Sequence, residues 1–171
     1  MAKKAITIEK RIFAVLVDNE PGVLARVIGL FSGRGYNIES LTVTEVDQAA
    51  HLSRITIVTS GTDQVLDQIR AQLERLVPVH RVSDLTEVGA IVERELALVK
   101  VTGVGDKRVE ALRIADVFEA SVVDAGLDYF VFQMAHRSDK LNRFIDLMTP
   151  LGLVDLCRTG VVAIARGPKA L

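Results

Sequence analysis

Phe13-Ala14-Val15-Leu16-Val17 is a continuously apolar run, the pattern of a central strand buried on both faces, and the chain carries a second apolar strand later. Val15-Leu16-Val17 falls in register with Val99-Lys100-Val101, 84 residues later, inside a second apolar strand from Leu96 to Val101. Two central strands at this spacing point to a duplication of one small fold. The 171 residues allow two small domains, and 49% hydrophobic content supplies the cores.

The segments after each run follow the same order. Pro21-Gly22 turns the first strand into a helix with Leu24, Val27, Ile28 and Phe31 at i, i+3, i+4 and i+7, stopped by Gly33 and Gly35. A strand from about Asn37 to Glu45 alternates Leu41 and Val43 with Thr42 and Thr44, and Leu52 to Thr59 is rich in β-branched residues. A second helix is expected over about Thr62 to Leu76, its core face drawn from Val65, Leu66, Ile69 and Leu73, with a short strand after Pro78. The second half repeats this with a helix from Asp106 to Phe118, strands at Ser121–Asp124 and Tyr129–Ala135, a helix from Leu141 to Met148, and closing strand structure from Leu153 to Ala165. The fold class is α+β: two ferredoxin-like βαββαβ domains in tandem. The boundaries read as a tail over 1–10, a first domain over 11–86, a linker over 87–93 and a second domain over 94–171. In this topology the strand beginning at Asn37 lies at a sheet edge, which invites pairing with another copy.

Composition excludes several functions. With 21 basic and 22 acidic residues there is no electrostatic footprint for nucleic acid. The N-terminal basic residues are followed by an interrupted apolar stretch, so neither a signal peptide nor a transmembrane span is expected. Cys157 is the only cysteine, which rules out an intramolecular disulfide, fits a cytoplasmic location, and reads as a small residue in a terminal strand. His51, His80 and His136 fall in separate segments without metal-ligand spacing. Gly103-Val104-Gly105 with Asp124 resembles a dinucleotide fingerprint, but Arg108 stands where a third glycine would be needed, so an ordinary turn is expected. No nucleophile elbow or phosphate loop is present, and no catalytic, cofactor or metal residue is assigned.

Asp18-Asn19-Glu20-Pro21-Gly22-Val23-Leu24 and Tyr36-Asn37-Ile38-Glu39-Ser40-Leu41 carry the positive chemistry. A helix N-terminus after Gly22 offers N–H groups and a dipole to a carboxylate, and the asparagine amides can donate and accept without adding charge. On the residues alone, a helix cap for Asn19 and a turn for Asn37 are the simpler reading.

These segments resemble the amino-terminal ACT domain of the small, regulatory subunit of acetohydroxyacid synthase (acetolactate synthase). Further matches are Leu52-Ser53-Arg54-Ile55-Thr56-Ile57, Val92 to Val101, and Thr159-Gly160-Val161-Val162-Ala163 with Arg166-Gly167. The chain departs from the pattern at Ala165, where a serine is usual, and at Pro78. The resemblance implies a homodimer through the first domain that binds valine at its interface, with Asn19, Gly22, Val23 and Leu24 from one protomer and Asn37 and Ile38 from the other. It implies a partner, the catalytic large subunit, which carries thiamine diphosphate, a divalent metal and FAD and which this chain activates and makes sensitive to valine. It also implies no cofactor and no catalysis on this chain. The alternative is a free-standing amino-acid-sensing ACT protein that regulates transcription or another enzyme.

Overall fold

In the computed structural model, which describes residues 7–168, the first apolar run forms the middle of β1 (Glu9–Asp18). Strand β1 pairs antiparallel with β3 (Leu52–Gly61) on one side and β4 (Val79–Asp84) on the other, and β2 (Ser40–Asp47) lies outside β3. The sheet order is β2-β3-β1-β4, so β2 is the edge strand that the topology requires. Helices α1 (Val23–Arg34) and α2 (Asp63–Leu73) cover one face, burying Phe13, Val15, Val17, Ile55 and Ile57. Helix α2 presents Leu66, Ile69 and Leu73 as expected and is capped by Thr62, whose hydroxyl accepts from the N–H of Val65 at 3.4 Å.

Helix α1 has a different phase from the one expected. Val23, Val27 and Phe31 are buried with Leu30 against them, while Leu24 is 37% and Ile28 41% exposed. Both stripes share Val27 and Phe31, so periodicity cannot choose between them. Gly22, at φ 87°, sets the entry angle and turns Val23 inward.

The second half repeats the topology. The central strand is β5 (Ile91–Thr102), between β7 (Tyr129–His136) and β8 (Leu153–Arg158), with β6 (Ser121–Ala125) at the edge. Helices α3 (Asp106–Val117) and α4 (Ser138–Met148), the latter followed by a 3₁₀ turn at Thr149–Leu151, cover one face. The core holds Val99, Val101, Phe132 and Phe144, with the small Ala111 and Ala115 on α3. Phe132 and Phe144 meet edge to face at 6.2 Å.

The 84-residue offset survives in detail. Register shifts interrupt β1–β4 pairing at Leu16/Val17 and β5–β8 pairing at Lys100/Val101. Buried Arg11 on β1 lies 3.2 Å from Asp84 on β4; at the equivalent places buried Glu95 on β5 accepts two bonds from Arg158 on β8, at 2.8 and 2.6 Å. The site is conserved between the halves while the polarity of its ion pair is reversed.

Residues 7–92 together with 161–168 form one unit and residues 93–160 the other. This grouping by contacts differs from the expected boundaries in three places. Glu9 and Lys10, read as tail, already belong to β1, whereas 1–6 of that tail lie outside the described residues. The linker is a turn over 85–90, after which Ile91 opens β5. The last described residues, expected to close the second domain, group with the first: β9 (Val162–Ala165) follows Val161, and Val161 and Ala163 pack on Ile12, Ala14, Val58 and Leu85. An apolar strand is written into residues 161–165, but its partner is chosen by a buried surface far away in sequence.

Candidate effector site

Strand β1 ends at Asp18, and the chain passes through Asn19, Glu20 and Pro21 to the N-terminus of α1. Gly22 takes the N-cap position with no side-chain hydrogen bond, and no acidic residue occupies the first turn. The N–H of Val23 reaches back to the carbonyl of Glu20 at a long 3.3 Å. This helix end therefore keeps much of its affinity for an anion. The Val23 side chain is in the core, so only its backbone faces the junction, whereas Leu24 projects outward.

Asn19 does not cap α1. Its amide nitrogen donates to Glu45 Oε1 at 2.9 Å, and its backbone N–H donates to the carbonyl of His51 at 2.7 Å. His51 sits in the β2–β3 turn at φ 50°. Glu45 escaped the sequence reading because it is one of several exposed polar residues on an edge strand, and only pairing with β3 carries it to the end where Asn19 emerges.

Asn37 does not serve as a left-handed turn residue. That conformation falls on Gly35, at φ 68°, which caps the C-terminus of α1. The carbonyl of Asn37 accepts from the hydroxyl of Thr59 at 2.6 Å, its side chain is exposed, and Ile38 packs against the first core. Next to it, the Glu39 carboxylate accepts from the Ser60 hydroxyl and pairs with Lys10 at 3.1 Å. The Ser60 bond, assisted by Lys10, holds the Glu39 carboxyl below the ordinary range against the opposing effect of partial burial.

The two asparagines stand at opposite ends of the sheet. Asn19 follows Asp18, which pairs with Leu52, while Asn37 is held by Thr59. Leu52 and Thr59 are seven residues apart along β3, roughly 23 Å at about 3.3 Å per residue. One chain thus places Asn19, Gly22, Val23 and Leu24 at one end of the sheet, and Asn37 and Ile38 at the other.

A second group missed by sequence reading lies on the face of the sheet opposite the helices. Ser40 Oγ accepts from the N–H of Val161 at 2.8 Å, Thr42 Oγ1 donates to the Val161 carbonyl at 3.3 Å, and Arg54 Nη2 donates to the Ala163 carbonyl at 2.6 Å. Burial holds the Arg54 guanidinium below its usual pKa. The alternation of Ser40 and Thr42 was the available signal: hydroxyls spaced by two lie on one strand face.

Elsewhere the alternatives resolve into structure. Arg108 lies 3.8 Å over the Phe130 ring, and Asp124 accepts from the Tyr129 hydroxyl, so the Gly103-Val104-Gly105 segment is a strand-to-helix turn. His80 pairs with Asp18, a ring nitrogen of His136 accepts from the N–H of Arg137, and Cys157 is exposed on the edge strand β8. Among the described residues no cluster of three or more His, Cys, Asp or Glu is arranged to hold a metal, and no helix is long and apolar enough to cross a membrane.

Comparison with known proteins matches both halves. Residues 13–81 match the family described as AHAS small subunit-like ACT domain, and residues 94–167 the family described as small subunit of acetolactate synthase. A probable acetolactate synthase small subunit of Archaeoglobus fulgidus is 48% identical over 94% of this chain and 99% of its own length. The acetolactate synthase isozyme 3 small subunit of Escherichia coli is 46% identical over 95% and 99%. The crystal structure of an acetolactate synthase small subunit from Thermotoga maritima superposes with a TM-score of 0.83 at 34% identity, covering 94% of this chain and 99% of that one.

Proposed function

The chain belongs to the acetolactate synthase small-subunit family, and from that premise we propose that it is the regulatory subunit of acetolactate synthase in branched-chain amino acid synthesis, activating a separate catalytic subunit and conferring feedback inhibition by valine. It performs no chemistry itself. The thiamine diphosphate, divalent metal and FAD of the reaction belong to the catalytic partner.

The observation that supports this reading is that Asn19 and Asn37 stand at opposite ends of one edge strand, where each would supply half of a site. A two-fold axis that lays two β2 edges antiparallel brings the Asn37 end of one chain to the Asn19 end of the other, completing two equivalent sites. The edge is fit for pairing, with Val43 and Val46 on β2 and Leu24 and Ile28 on α1 exposed. In the completed site the effector carboxylate meets the N-terminus of α1 at Gly22 and Val23, Asn19 and Asn37 orient the zwitterion, and Leu24 and Ile38 touch the isopropyl group. An effector that binds only the paired form stabilises it by mass action, and it shifts activity only through unequal affinity for the two states of the complex.

The test is acetolactate formation by the catalytic subunit with and without this protein, each with and without valine. Stimulation that valine removes is the expected result. Asn19→Ala and Asn37→Ala should each abolish valine inhibition while keeping stimulation; wild-type valine sensitivity in both variants would sink the site assignment. Absence of stimulation would refute the partnership.

A further inference from the structure

The chain passes between its two units twice, once inside β5 between Val92 and Glu93 and once at Gly160–Val161. The second passage is short and pinned on both sides. Thr159 is tied into the second unit, its N–H donating to the Leu96 carbonyl at 3.0 Å and its hydroxyl accepting from the Leu96 N–H at 3.1 Å. Val161 is tied into the first unit through Ser40 and Thr42. Between them stands only Gly160, at φ 84°, a conformation that favours glycine.

From Val161 the segment runs over the sheet face opposite the helices. Val161 and Ala163 are 6% and 7% exposed against Ile12, Ala14, Val58 and Leu85. Four groups of the first unit bond its backbone: Ser40, Thr42, Arg54, and the Ala90 carbonyl, which accepts from the N–H of Arg166 at 3.0 Å. Both polar groups of the Val161 backbone are satisfied by side chains two residues apart on β2. Ser40 follows the half-site residues Asn37 and Ile38 by three and two positions, and β2 carries Glu45, the partner of Asn19, at its other end. A displacement of residues 37–38 that passes through Glu39 into β2 moves Ser40, and Val161 with it, or breaks the bond between them.

We propose that Val161–Arg166 is a strap that carries the effector-bound state of β2 to the second unit, with Ser40 and Thr42 as its positioning residues. This rests on the valine-sensing reading above. The strap couples the sites because ligand contact and strap contact share one short strand, and because one glycine leaves little slack between the anchors at 159 and 161.

Two variants of the full chain test it. Ser40→Ala with Thr42→Val removes both side-chain bonds to Val161 and leaves the proposed ligand contacts in place. Insertion of two glycines after Gly160 keeps every bond and slackens the connection, which guards against a folding defect in the first variant. Valine binding to the full chain is measured by calorimetry, and valine inhibition is measured in the complex with the catalytic subunit. Both variants should bind valine within about 2-fold of wild type and still stimulate, while half-inhibition requires about 5- to 10-fold more valine, the scale of one or two lost hydrogen bonds. Wild-type inhibition in the insertion variant overturns the strap. Loss of valine binding in the Ser40/Thr42 variant also overturns it, because those residues would then belong to the pocket. A wild-type chain that neither binds valine nor confers inhibition refutes the sensing reading itself.

Discussion

Arg11 makes the sharpest claim about stability. Its side chain is 7% exposed and faces four carboxylates: Asp63 and Asp67 on α2, Asp84 on β4, and Glu87. Their stakes are unequal. The Asp63 and Asp67 side chains are more than half exposed and the Glu87 side chain nearly so, and an exposed pair contributes roughly 0–1 kcal/mol. The Asp84 side chain is 1% exposed; its Oδ1 accepts from the N–H of Thr86 at 2.9 Å, and its Oδ2, without a hydrogen bond, has the Arg11 charge at 3.2 Å. Arg11→Met keeps the apolar stem and strands that carboxylate, at a cost of about 3–5 kcal/mol, almost all through Asp84. At about 4–8 °C per kcal/mol for a domain of this size, the first unit should lose at least about 12 °C. Replacing both partners, Arg11→Met with Asp84→Leu, removes the buried charge and should return most of the stability, so the double-mutant cycle should give a coupling above about 2 kcal/mol. Native-state hydrogen exchange on peptides from β1 and β4, at fixed protein concentration, reads this unit apart from the other. A loss below about 1 kcal/mol for Arg11→Met, or a double variant no more stable than the single one, would refute the reasoning.

Ser60→Ala should make the protein less stable only above a threshold pH. The folded Glu39 carboxyl lies below its unfolded value of about 4.3, so its contribution is present above that value and is lost as pH falls through the folded one. Denaturation curves of wild type and variant should therefore differ at pH 6 and draw together as pH falls below the ordinary carboxyl range; a pH-independent difference would assign the effect to lost packing. Gly152→Ala should cost at least about 2 kcal/mol, because the residue sits at φ 106° and a Cβ there would run into the Thr102 carbonyl oxygen. Thermal unfolding checks it, and a shift under about 3 °C would mean that the loop yields freely.

Sequence alone determined the local elements and their order. The run from Phe13 to Val17, the stripe on α2, and the turn at Pro21-Gly22 are set by short-range periodicity and backbone chemistry, which hold whatever the chain later packs against. The 84-residue register likewise exposed the duplication, which extends to a matching bulge and a matching buried ion pair. The resemblance made Asn19 and Asn37 candidates, and the fold removed their simpler explanations by giving the N-cap of α1 to Gly22 and the left-handed turn at its end to Gly35. Tertiary structure decided the rest. Two stripes on α1 satisfied the same period until Gly22 fixed the angle at which the helix meets the sheet. Asn19 and Asn37 are 18 residues apart in sequence, yet strand pairing sends them to opposite ends of β3. Val161 to Ala165 reads as a strand wherever it goes, but only the uncovered face of Ile12, Ala14 and Val58, with hydroxyls on β2 spaced to meet its backbone, brings it home to the first unit. Periodicity specifies which face a segment must bury; the surface that buries it is chosen by contacts more than a hundred residues distant, which no local pattern contains.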